Sequence, residues 1–171
     1  RGLSVTIPHK VEAMHAVDEV HEIARGIGCI NTVVNTDGHL MGYNSDGLGA
    51  LNALRDADAD PRGKRVLILG SGGAARALTV TIAGEASPAE ITVLGVVEQE
   101  LNQLVADVRS AGKCSIQSGE LTSATLRQNI AASDILLHCT PVGMHPKEDE
   151  SLLPRDLFPK DLVVFDAVYN P

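Results

Sequence analysis

Tryptophan is absent, and two Tyr and two Phe are the only aromatic rings apart from histidine in 171 residues. Any core must therefore be built from Val, Ile, Leu and Ala, and nucleic-acid modules that stack bases on aromatic faces are disfavoured. Basic residues are also scarce: 14 Lys and Arg stand against 22 Asp and Glu, a formal net charge of -8. Such a chain repels a phosphate backbone, so no nucleic-acid partner is expected and any anionic ligand must be held by a local site. Cysteine is confined to Cys29, Cys114 and Cys139, odd in number and without C-x-x-C spacing. That pattern fits a reducing, cytoplasmic setting rather than a disulfide framework. No apolar run approaches the ~20 residues of a membrane span, and no charged-then-apolar leader opens the chain, so no membrane association is expected. With 44% hydrophobic and 21% charged residues and a mean hydropathy of +0.06, the chain reads as globular, with one ordinary domain or two small ones. It opens at Arg1 and closes at Pro171 directly after a strand-like run, which suggests a piece of a longer protein.

Leu3 to Ile7 reads as a strand stopped by Pro8, delivering Thr6, His9 and Lys10 at its carboxyl end. Lys10 through Ile23 carries Val11, Met14, Val17, Val20 and Ile23 at helical spacing before Gly26 and Gly28, which predicts one helix. Cys29–Val34 and His39–Tyr43 flank Asp37-Gly38, a hairpin signal. Asp46 precedes a helix through Leu48, Leu51 and Leu54 and reads as its N-cap. The Asp-rich stretch 56–64, with Pro61 and Gly63, is the best linker. Beyond it, buried apolar runs at Val66–Leu69, Ile91–Leu94, Ser115–Gln117, Ile135–Cys139 and Leu162–Phe165 alternate with helical stretches, which implies a parallel sheet covered on both faces. The expected fold is α/β: a Rossmann-like parallel sheet over residues 59–171 with a second, smaller, incomplete α/β substrate domain over 1–58.

Gly70-Ser71-Gly72-Gly73-Ala74-Ala75 gives G-x-G-x-x-A directly after a strand and opening a helix. Gly70 permits the tight turn, Gly72 lets the backbone approach a pyrophosphate, and Ala75 keeps helix close to strand, while the helix N-terminus offers free N–H groups to the anion. A glycine turn serving only packing is the bland alternative. A ribose-reading residue is expected at the end of the next strand, yet Ile91–Leu94 runs into Gly95-Val96-Val97, with neither an acid nor an Arg there; Glu98 reads as the start of the following helix.

Lys10, Asn31 and Asp46 each follow or sit on short strands and would converge at one rim. A lysine beside a carboxylate can move the proton that accompanies hydride transfer at a carbonyl, while Asn and Asp hold hydroxyls. Taken singly, each has a plain reading: a solvated charge, a turn residue and a helix cap.

Six segments in order, Ser4-Val5-Thr6-Ile7-Pro8-His9-Lys10, Gly28-Cys29-Ile30-Asn31-Thr32, Gly42-Tyr43-Asn44-Ser45-Asp46-Gly47, Gly70 to Ala77, Cys139-Thr140-Pro141-Val142-Gly143-Met144 and Asp166-Ala167-Val168-Tyr169-Asn170-Pro171, resemble the signature segments of the shikimate dehydrogenase family. The resemblance implies an NADP-dependent oxidoreductase that interconverts 3-dehydroshikimate and shikimate in aromatic amino acid biosynthesis. It implies Lys10 and Asp46 as the catalytic pair, Thr6, Asn31 and Tyr169 as substrate-binding residues, and the turn Gly70, Ser71, Gly72, Gly73 and Ala74 as cofactor-binding, together with Thr140 and Met144. Gly95-Val96-Val97 stands where the family carries Asn-Arg-Thr, whose Arg clamps the 2′-phosphate, so NAD is an alternative cofactor. Ser4 and Ser45 replace a common Asn and Thr, and His138-Cys139 occupies a position often held by Asn-Ala or Asn-Thr. The family's leading Ser-x-Ser region and closing Gln-bearing helix have no counterpart here, and a molecule that stopped at these ends would be expected to show at most weak turnover.

Quinate as substrate, and a catalytically silent sensor of a dinucleotide or shikimate-pathway ligand, are the alternatives. A folate-linked dehydrogenase fits the Asn-Ser-Asp-Gly and Val-Tyr-Asn-Pro segments poorly. A small-molecule substrate is the expected partner, with a homodimer as an option. No metal is expected, because His15 and His21 are not an i,i+4 pair and His138 and Cys139 point to opposite sides of a strand.

Overall fold

The computed structural model describes residues 1–6, 9–110, 114–146 and 148–168. Its larger sheet is all parallel, with β5 (Arg65–Leu69) at the centre, β6 (Glu90–Gly95) and β7 (Ser115–Glu120) on one side, and β8 (Ile135–His138) and β9 (Val163–Asp166) on the other, in the order β7-β6-β5-β8-β9. The apolar run of β5 serves two cores at once. Val66 and Ile68 pack with α3 (Asp46–Asp56), α4 (Gly73–Glu85) and α5 (Glu98–Ser110), while Leu67 and Leu69 pack with Leu126 and Ile130 of α6 (Ser123–Ile130). Alternation of side chains across the strand thus explains why a buried parallel strand reads as continuously hydrophobic. The chain travels from β5 out to β7, then returns past β5 to β8. The strand order reverses between β5 and β8, the point at which a doubly wound sheet opens a ligand crevice.

The smaller sheet is mixed, with β1 (Gly2–Ser4), β2 (Glu19–Val20), β3 (Thr32–Thr36) and β4 (His39–Tyr43) in the order β1-β3-β4-β2. β3 and β4 form the expected hairpin, pairing Thr36 with His39. Its two-residue turn places both Asp37 (φ 53°) and Gly38 (φ 96°) in the left-handed region, as a tight hairpin turn requires. The fold is therefore α/β, a Rossmann-like parallel sheet accompanied by a second, smaller sheet.

The single helix expected over Lys10–Ile23 is not formed. α1 (Lys10–Met14) stops, β2 intervenes, and α2 (Glu22–Ile27) follows. The cause is non-local: Asp18 N donates to Leu40 O at 3.0 Å, its carboxylate accepts from Leu40 N at 2.7 Å, and Glu19 and Val20 pair with Met41 and Gly42. Gly42 leaves room for Ile30 and Val17, whose methyl groups lie 2.9 and 3.2 Å from where a Cβ would stand. Gly28, at φ 83°, ends α2, whereas Gly26 lies inside it. The strand expected over Leu3–Ile7 ends at Ser4, and Ile7 lies outside the described residues.

α3 joins the larger core, burying Ala50, Leu51 and Leu54 beside β5. Gly47 lets it approach α4 closely: a Cβ there would overlap Thr81 Oγ1 and stand 2.6 Å from Ala77 O. The linker-like stretch after α3 is pinned: Asp60 accepts from Arg62 N at 2.9 Å and Arg55 Nε at 3.2 Å. The Arg62 amide first, and then Arg55, hold its carboxyl below the ordinary aspartate range.

Candidate active site

Lys10 and Asp46 meet. Lys10 Nζ donates to Asp46 Oδ2 at 2.7 Å, and the side chains are 26% and 40% exposed, open enough to meet a ligand. Lys10 starts α1, and its carbonyl accepts from Ile30 N at 3.0 Å, which ties it to the loop entering β3. Asn31, 9% exposed, holds the pair from that loop. Its Nδ2 donates to Asp46 Oδ1 at 2.8 Å and Ser45 Oγ at 3.1 Å, and its Oδ1 accepts from Ser45 N at 3.0 Å and Thr32 Oγ1 at 2.8 Å. The Asn31 carbonyl accepts from Val5 N, so Thr6, exposed at the next position, emerges beside this cluster.

Asp46 is not the N-cap expected of it. Ser45 occupies that position without a side-chain cap bond and Asp46 is the first helical residue, so its carboxylate faces Lys10 and Asn31. The Asp46 amide is met by Asn44 Oδ1 at 3.0 Å. Asn44 is itself buried, donating to the Cys29 carbonyl at 3.3 Å. In the sequence, Asn44 and Ser45 are signalled by the run Asn-Ser-Asp before a helix, in which side chains compete for backbone N–H groups.

The glycine turn lies at the reversal point. Gly70, at φ 109°, faces the end of β8 so closely that a Cβ would stand 2.8 Å from Cys139 O. Gly72, the N-cap of α4, and Gly73 have no other described residue, apart from chain neighbours and their own helix, within 4 Å of where a Cβ would be. The space in front of the helix is open, and Gly72 supplies no side-chain cap for its leading N–H groups. A cleft of about 340 Å³ runs from Ser71, Gly72 and Gly73 to Glu100 and Gln103 of α5. Ala74 sits in the first turn of α4. Across the crevice, Thr140 Oγ1 lies 2.7 Å from His138 Nε2 and accepts from Val142 N at 3.3 Å. His138 Nδ1 lies 2.9 Å from Asp166 Oδ1 on the adjacent strand. With the carboxylate accepting from Nδ1, Nε2 is the acceptor for the Thr140 hydroxyl. Met144 is 40% exposed in the loop beyond. Tyr169 lies outside the described residues.

Arg76 binds the smaller sheet's helix to the larger core. From the first turn of α4 it donates to Ile27 O at 2.5 Å and Gly26 O at 2.9 Å at the end of α2, and to Asp107 of α5. Three charge-assisted bonds on one partly buried guanidinium should make Arg76→Ala cost about 2 kcal/mol, read as a lower urea midpoint at unchanged m-value. An unchanged midpoint would refute this.

Burial pushes all three cysteine thiols above their ordinary range. Cys139 rises furthest, to about 12, through burial first and the nearby Asp166 carboxylate second. The folded chain should therefore resist a thiol reagent at neutral pH and react rapidly once unfolded, which stopped-flow labelling would show. The sign for stability follows. The raised value keeps the proton on the folded chain after the unfolded thiol has lost it, so stability is complete below the ordinary thiol range and declines as pH climbs towards 12. Among the described residues no group of three or more His, Cys, Asp or Glu is placed to hold a metal ion, and no helix is long and apolar enough to cross a membrane.

Comparison with known proteins gives a consistent picture. Residues 1–33 match the model of the shikimate dehydrogenase substrate binding domain. The whole chain is 40% identical to shikimate dehydrogenase (NADP(+)) of Dehalococcoides mccartyi, covering 59% of that protein, and 39% identical to the enzyme of the same name from Moorella thermoacetica, covering 58%. A solved structure of shikimate 5-dehydrogenase from Listeria monocytogenes, in complex with shikimate and NAD, superimposes with a TM-score of 0.92 at 36% identity, over 99% of this chain and 60% of that one. The chain thus spans about three-fifths of the length of the curated relatives it matches. Across its whole length, in sequence and in fold, it is similar to proteins of the shikimate dehydrogenase family.

Proposed function

We propose that the chain is the catalytic and nucleotide-binding portion of a dehydrogenase that interconverts 3-dehydroshikimate and shikimate with NADP(H) or NAD(H), in the cytoplasm, as a step of aromatic amino acid biosynthesis. The observation that carries this reading is the Lys10–Asp46 pair at 2.7 Å, locked by Asn31. The chain divides in function near residue 58: the first part supplies substrate contacts through Thr6 and Asn31, and the second holds the dinucleotide through Gly70 to Ala74, Thr140 and Met144 and adds Tyr169 to the substrate side.

The residues present fit a dinucleotide. The left-handed Gly70, the open positions at Gly72 and Gly73 and the uncapped start of α4 form a cradle that any Cβ would partly fill, with N–H groups aimed outward for a pyrophosphate. When bound, the nicotinamide supplies or accepts the hydride at the substrate carbon. Lys10 Nζ delivers the accompanying proton to the carbonyl oxygen, or takes it from the hydroxyl in reverse. Asp46 keeps the ammonium aimed and fixes the neighbouring hydroxyl. Asn31, donating to Asp46 Oδ1, prevents that carboxylate from rotating away. Acid–base assistance of this kind supplies about 10²- to 10⁴-fold in rate.

A small molecule is the only partner this site requires. A homodimer is compatible with it, and the net charge of -8 gives nucleic acid no purchase. The test is a shikimate-dependent change in nicotinamide absorbance, run in parallel with quinate and with both cofactors. Turnover with shikimate is expected; shikimate binding without any absorbance change would overturn the enzymatic reading in favour of a ligand sensor.

A further inference from the structure

The glycine turn and the first turn of α5 meet through one side-chain bond, Ser71 Oγ donating to Glu100 Oε2 at 2.6 Å. Ser71 also touches the end of β6: its Cβ and Oγ lie 3.1 Å from where a Gly95 Cβ would stand. A carboxylate is thereby tethered at the end of the second strand of the parallel sheet. In a doubly wound sheet that place reads the adenosine ribose: an acid accepts from a free 2′-hydroxyl, whereas a 2′-phosphate needs a cation.

Among the described residues no cation waits there. Val96 and Val97 follow Gly95 and are 78% and 44% exposed. The adjoining clefts along this edge are lined by Glu98, Glu100 and Glu120, and among their described residues Arg76 is the one cation. Arg76 is already committed to Asp107 and to the Gly26 and Ile27 carbonyls. A phosphate dianion entering here would exchange water for three carboxylates and no counter-charge. A free ribose would instead find in Glu100 an oriented acceptor, because Ser71 fixes one carboxylate oxygen and none of the described residues donates to the other.

Resting on the dinucleotide reading above, we propose that this crevice selects the dinucleotide with an unmodified ribose, NAD(H), over its 2′-phosphorylated form, and that Glu100, oriented by Ser71, is the selecting residue. Glu100 is exposed, so solvent and salt weaken its field, and the selection is moderate rather than absolute.

The test is calorimetric titration of the 171-residue chain with NADH and with NADPH, at low and at high salt. The unaltered chain should bind NADH at least about tenfold more tightly at low salt, and high salt should narrow the gap. Glu100→Gln keeps an acceptor for the Ser71 hydroxyl while removing the charge, and should cut the preference by about three- to tenfold. Adding Val96→Arg should carry it towards NADPH. Equal or tighter binding of NADPH by the unaltered chain would overturn the inference while leaving the dinucleotide reading intact, as would an unchanged ratio in Glu100→Gln. Failure of both nucleotides to bind would overturn the dinucleotide reading and this inference with it.

Discussion

Lys10→Ala should lower kcat by about 10²- to 10⁴-fold while leaving dinucleotide affinity unchanged. The ammonium is one of two ionisable groups in the cluster it forms with Asp46 and Asn31, so its removal takes away the proposed proton donor and leaves Asp46 Oδ2 without its 2.7 Å partner. Asn31 still holds Oδ1 at 2.8 Å, which keeps the carboxylate in place and confines the damage to the chemical step. The Lys10 ammonium pairs with Asp46 rather than with the glycine turn, which should bind nucleotide as before. The split between kcat and nucleotide Kd is therefore the decisive measurement, with Lys10→Met as the variant that preserves the aliphatic stem. Turnover within about threefold of the unaltered chain would remove Lys10 from the mechanism.

Gly47→Val should be the most damaging single change to stability, costing about 3 kcal/mol or more. A Cβ at Gly47 would overlap Thr81 Oγ1 and stand 2.6 Å from the Ala77 carbonyl, and the latter is helix backbone that cannot step aside alone. Relief requires α3 to lift from α4, exposing Ala50, Leu51 and Leu54. Asp46 precedes Gly47, so whatever still folds should also lose activity, since a misplacement of about 1 Å can cost about 10²-fold. Thr81 supplies the internal control. Its hydroxyl is buried without a hydrogen-bond partner among the described residues, so Thr81→Ala should be close to neutral and should partly rescue Gly47→Ala, a coupling that a double-mutant cycle in urea would measure. Full additivity would show that the two positions do not share a contact.

What was legible in the amino-acid order is what local rules determine. Asp37-Gly38 between apolar runs marked the hairpin, the unbroken apolar stretch at Val66–Leu69 marked a strand covered on both faces, and the glycines from Gly70 marked a turn between strand and helix; each appears where expected. The exception among long elements was Lys10–Ile23, whose helical spacing of apolar residues is genuine but is overruled by partners some twenty residues away, Asp18 on Leu40 and Val20 beside Gly42. Position alone suggested that Lys10, Asn31 and Asp46 share a rim, but the locking role of Asn31 depends on the turn that brings Ser45 back to it. Arg76 stood in plain view after the glycine turn, yet nothing local announces that its acceptors are carbonyls fifty residues earlier. Glu100 escaped notice because it sits a helical turn beyond the position where a ribose-reading acid is sought, and reaches back only through Ser71.

The allegiance of α3 has a mechanical consequence. Asp46 is anchored in the larger core through Leu51 and Leu54, whereas Lys10 belongs to α1, whose Ala13 and Met14 lean on Ile30 and Val33 in the smaller one. The Lys10–Asp46 pair thus joins two hydrophobic cores like a latch, and a slight rocking of one against the other would unfasten it with every helix and strand intact. Arg76, clamping α2 to α4, sets the angle at which the latch meets its catch. Its loss should slow turnover from a distance, even though it never touches a reacting atom.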